Sequence, residues 1–78
     1  MATITINSAH GKHEIIYSDA VTTTCIGVFS NKRHAKKMAT FLTRYEDHFG
    51  EFFNYEEAAT RLINAVNRSP RKINFVAM

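Results

Sequence analysis

The 78-residue sequence has one cysteine, one proline, three glycines and no tryptophan. A lone thiol, Cys25, cannot close an internal disulfide, and no cysteine cluster offers the spacing of a structural zinc site. So little glycine and proline, with 45% hydrophobic residues, excludes a disordered or low-complexity chain and fits one small domain spanning residues 1–78. A domain of this size buries about 60–65% of its unfolded surface, which leaves little core for a deep pocket. No apolar run approaches membrane-spanning length, and the opening "MATITINS" has neither the basic segment nor the apolar stretch of a signal peptide. These absences point to a soluble cytoplasmic protein with no membrane partner. Phosphate-loop, dinucleotide-binding, serine-triad and paired-carboxylate patterns are also missing, which points away from an enzyme and from a bound cofactor.

What is present begins with alternation. Residues 2–7, "ATITIN", turn Thr outward and Ile4 and Ile6 inward, the period of a half-buried strand. Ser8 to Gly11 make a turn, and a second strand over about 12–18 places Ile15 and Tyr17 on one face before Ser18-Asp19 breaks it. The β-branched run "VTTTCIGVF" predicts a third strand over 21–29, with Gly27 as a bulge or a close-approach site. Short connections make an antiparallel meander the economical arrangement.

Two helices follow. The first takes Ser30 or Asn31 as its N-cap, buries Ala35, Met38, Ala39, Leu42, Tyr45 and Phe49 at helical spacing, and stops at Gly50. The second opens at Asn54 with Glu57 three residues on, as in a capping box. It buries Tyr55, Ala58, Ala59, Leu62 and Val66, and ends at Ser69-Pro70. "KINFVAM" alternates again and predicts a fourth strand. The order is β-β-β-α-α-β, an α+β fold with an antiparallel sheet packed against two helices.

The charges are segregated although the net charge is only +3. Residues 32–45 carry Lys32, Arg33, Lys36, Lys37 and Arg44 and no acid. Residues 46–57 carry Glu46, Asp47, Glu51, Glu56 and Glu57 and no base. Beyond them come Arg61, Arg68, Arg71 and Lys72, again without an acid. The first helix is thus charged against its own dipole, since a helix start favours anions and a helix end favours cations. Free N–H groups and clustered bases at one helix start form a site suited to phosphate.

The stretch "GVFSNKRHAKKMA", Gly27 to Ala39, resembles the junction of third strand and last helix in double-stranded-RNA-binding domains. Lys32, Arg33, Ala35, Lys36 and Ala39 fall on matching positions, and three strands precede them as in that family. The resemblance implies that Lys32, Arg33 and Lys36 contact phosphates across the groove of A-form RNA, with Lys37 as a neighbour outside the family pattern. It covers about a fifth of the chain. The family's first helix is absent, since the sequence opens on a strand, and so is its Gly-Pro-x-His loop, although "SAHGKH" offers His10, Lys12 and His13. The second helix and last strand are additions.

The remaining histidines and the cysteine read blandly. His10 and His13 with Cys25 are too few for a closed metal site and fit a solvated turn and a buried strand residue; His34 and His48 fit the solvated surface of the first helix. "YEDHFGEFFNYEE" crowds Tyr45, Phe49, Phe52, Phe53 and Tyr55 into the interhelical corner. Either these rings close the end of the core, or some of them form an exposed patch with an acidic rim suited to a protein partner. An acidic rim beside a basic helix also favours self-association, such as a homodimer.

Two functions follow. The first is a non-enzymatic nucleic-acid-binding module, RNA favoured, that uses the start of the first helix with Arg44, Arg68, Arg71 and Lys72 as secondary contacts. The second is a small inhibitor or adaptor that binds an acidic surface of a protein or nucleoprotein through the same bases and the patch at Phe49, Phe52, Phe53 and Tyr55. In size and lack of catalytic motifs it looks like the accessory inhibitors of phages, anti-CRISPR proteins among them.

Overall fold

A computed structural model describes residues 2–49, 54–70 and 72–77, with side chains for all of these except 46–49. Strands β1 (Thr3–Ala9), β2 (Lys12–Ser18) and β3 (Thr23–Phe29) precede helices α1 (Lys32–Phe49) and α2 (Tyr55–Arg68), and β4 (Phe75–Ala77) follows. The order is the expected β-β-β-α-α-β. All neighbouring strands pair antiparallel, in the sheet order β1-β2-β3-β4.

The alternation in β1 sets its register. Ile4 lies opposite Tyr17 and Ile6 opposite Ile15, so one slipped residue would turn this apolar set to solvent. The strand runs past Asn7 to Ala9 because the ladder continues to a two-residue turn, where His10 and Gly11 both have positive φ (53° and 75°). Such a turn matches the twist of the strands it joins. β3 starts at Thr23 rather than Val21. The Asp19 carboxylate accepts hydrogen bonds from the N–H groups of Val21 and Thr22, both at 2.8 Å, and the Asp19 N–H donates to the Thr22 carbonyl. That local turn outweighs the β-propensity of residues 21–22 and leaves Val21 in solvent.

A bulge interrupts β3. Ile15 pairs with Gly27 and Ile16 with Cys25, so Ile26 is the extra residue, and both Ile26 and Gly27 are buried. Gly27 itself is the close-approach site. A Cβ there would overlap the Phe75 ring and stand 2.9 Å from Leu62 Cδ2. Phe75 also packs its ring against Phe29, with centroids 4.9 Å apart. β4 is shorter than the alternation over 72–78 suggests, because its partner ends: Phe75 pairs with Phe29, the last residue of β3.

The helices cover one face of the sheet, α1 over β1 and β2 and α2 chiefly over β3. Ile15, Tyr17, Ile26 and Phe29 meet Ala35, Met38 and Leu42 of α1 and Ala58 and Leu62 of α2. Each large apolar side chain in this layer contributes about 1.5–3 kcal/mol by leaving water. Ala39, Tyr45, Ala59 and Val66 line the margin as the spacing predicts. Tyr55 does not join them and is 41% exposed. It is the first residue of α2, and a helical side chain leans toward the N-terminus, away from the turns that carry the rest of the buried stripe.

Candidate functional site

Asn31 caps α1. Its Oδ1 accepts from the N–H groups of Arg33 (2.9 Å) and His34 (3.2 Å), and its carbonyl accepts from Ala35. This corrects the expectation that free N–H groups await a phosphate at that helix start, because a neutral side chain already satisfies two of them. Lys32 and Arg33 are exposed there, and neither lines the two hollows where the other bases gather.

The bases converge further along, where α1 meets α2. Lys37, Phe41 and Arg44 are spaced by three to four residues and share one flank of α1. Two adjoining shallow hollows share Lys37 and Phe41. One lies along α1, between Lys36, Thr40 and Arg44. The other lies between the helices, where α2 adds Arg61, Asn64 and Arg68 over a floor of Met38 and Ala65. Among the described residues, no acidic side chain lines either hollow.

Aromatic rings order this surface. Phe41, 42% exposed, stands 6.5 Å from Tyr45 one turn on, tilted by 43°. The Arg61 guanidinium sits 4.8 Å from the Tyr45 ring centroid, a cation–π contact that aims a long side chain and joins the two helices. The site therefore holds Lys36, Lys37, Arg44, Arg61 and Arg68 around one apolar ring open to solvent.

Comparisons with protein-family models, with curated proteins and with solved structures give no match.

Of the residues singled out from sequence, the structure gathers Lys36, Lys37, Arg44 and Arg68. It leaves Lys32 and Arg33 at the helix start, and Lys72 exposed but outside the hollows. Arg71, Phe52, Phe53 and the side chain of Phe49 lie outside the described residues, as do Gly50 and the side chain of His48. Phe41, Arg61 and Asn64 are the additions. Phe41 carried a signal, a large aromatic one position off the core stripe among bases; Arg61 and Asn64 depend on how two helices pack.

The other candidate groups lie elsewhere. His34 is half-buried rather than solvated, and its Nδ1 is buried without a hydrogen-bond partner. Cys25 is half-buried rather than fully buried. Its thiol donates to the Gly27 carbonyl at 3.4 Å, and burial pushes its pKa up from the ordinary 9.0. His13 Nδ1 is 2.7 Å from Ser8 Oγ. Among the described residues, no group of three His, Cys, Asp or Glu could hold a metal ion, and no helix is long and apolar enough to cross a membrane.

Proposed function

We propose that this chain is a non-enzymatic nucleic-acid-binding module, with RNA preferred, that works through the face shared by α1 and α2. One observation carries the reading: cations from two helices surround an exposed aromatic ring, with no acid among the described residues that line the surface. Lysine and arginine neutralise phosphates without regard to sequence, and an aromatic face stacks an unpaired base. Phe41 supplies that face, Lys36, Lys37 and Arg44 follow one run of phosphates, and Arg61 and Arg68 take the other side of the groove. RNA offers such splayed bases in loops and bulges. The resemblance of residues 27–39 to a double-stranded-RNA-binding motif supports the same class of ligand, although the contacts shift from the helix start to its middle.

The test is binding to short duplex and single-stranded RNA and DNA at two salt concentrations. About four neutralised phosphates give a log–log salt slope near −3 to −4. Loss of the stacking ring in Phe41→Ala weakens binding to an unpaired base by about 1–3 kcal/mol, roughly 5- to 150-fold. Lys36→Glu weakens all nucleic acids while leaving the circular dichroism spectrum unchanged. Binding indifferent to salt, or no binding, sinks the proposal.

A second reading has one observation in its favour, the apolar floor that Met38 and Ala65 give the interhelical hollow. A protein partner with an acidic rim and an apolar anchor would fit there, as for an inhibitor or adaptor. In that case Phe41→Ala abolishes capture of the protein partner while nucleic acid fails to compete.

A further inference from the structure

β1 is an edge of the sheet, and among the described residues only β2 pairs with it. Edge strands are ordinarily kept from pairing by brevity, charge, proline or a bulge. The other edge, β4, is three residues long. β1 has seven, "TITINSA", with no charge, no proline and an unbroken register with β2. Its inward residues Ile4 and Ile6 are only half-buried, whereas their cross-strand partners Tyr17 and Ile15 are buried to 1% and 0% exposure.

The helix above this edge bears on the question. α1 packs over β1 and runs from Lys32 and Lys36 at its basic start to Glu46 and Asp47 near its end. We infer that β1 pairs antiparallel with β1 of a second copy of this chain, making one continuous sheet with the two α1 helices alongside each other. The twofold axis of such a pair stands perpendicular to the sheet. It sets the basic start of each α1 toward the acidic end of its partner, so a charge order that opposes the dipole within one helix is complementary between two. Two uncharged strands place no like charges opposite each other, and Ile4 and Ile6 of both copies gain cover. This reciprocity of charge is what selects a second copy as the occupant. The inference shares Lys36 with the proposed nucleic-acid face but does not rest on that reading, and it is tested without any nucleic acid present.

Sedimentation velocity across a concentration series should show a reversible dimer that weakens as salt rises. Thr5→Lys, an exposed position of β1, should shift the protein to monomer with its circular dichroism unchanged. Lys32→Glu with Lys36→Glu should weaken the dimer, and adding Glu46→Lys with Asp47→Lys should restore it. Should Thr5→Lys fail to fold, amide hydrogen exchange of the unmodified protein decides: alternate β1 amides, those not bonded to β2, gain protection as concentration rises. A monomer at every concentration, a dimer indifferent to Thr5→Lys in a folded variant, or free exchange of those amides in the dimer overturns the inference.

Discussion

Asp19 holds the β2–β3 corner with both carboxylate oxygens. Oδ1 accepts the N–H groups of Val21 and Thr22, and Oδ2 accepts the Tyr17 hydroxyl at 2.6 Å. These bonds favour the charged form, the Tyr17 hydroxyl most, and lower the pKa below its ordinary 3.8. A carboxylate whose folded pKa is depressed contributes stability that is present above the unfolded value and lost as pH falls through the folded one. The melting temperature of the unmodified protein should therefore exceed that of Asp19→Asn by a constant margin above roughly pH 5, and the margin should shrink below about pH 3.8. Parallel melting curves down to strong acid would show that the charge contributes nothing. At this scale the sequence was legible where a residue acts on its immediate neighbours. Asp19 was readable as a strand breaker, but its reach to residue 22 came from side-chain geometry, and so did the two-residue delay in the start of β3.

At the scale of elements, the two helices begin differently. α2 has Glu56 and Glu57 in its first turn and an Asn54 side chain that accepts from the Glu57 N–H at 3.0 Å. α1 has no acid in its first turn, so Asn31 alone offsets the partial positive charge there. Asn31→Ala should cost about 1–2 kcal/mol, and Asn54→Ala less, because acidic side chains remain to favour the α2 start. Urea unfolding of the two variants checks the order, and a larger loss at Asn54 would contradict it. Caps and buried stripes were readable because both are local: an amide side chain before an apolar run, then apolar residues every three or four positions. The exposure of Phe41 and Tyr55 was not, because a stripe gives the direction of the core and says nothing of its width or of where the helix outruns it.

For the whole molecule, the meander was legible because each early connection is too short to allow another arrangement. The composition of the site was not. Lys36, Lys37 and Arg44 follow from one helix, but their meeting with Arg61 and Arg68 rests on long-range packing that no local pattern encodes. The same contrast between near and far governs the order of assembly. β1–β2 and β2–β3 are hairpins, whereas β3 meets β4 only after the chain has passed through both helices. Loop closure therefore weighs most on that last pairing, and the expected order puts it after the folding barrier. Phe75→Leu, which trims the ring over Gly27 and against Phe29, should then speed unfolding and leave the folding rate nearly unchanged. Stopped-flow traces in which folding slows instead would place the pairing in the nucleus. On a ribosome, the three-stranded meander and α1 can form before Phe75 has been added. β4 is thus the last of these elements to be synthesised and the last to be secured, a latch on a sheet already made.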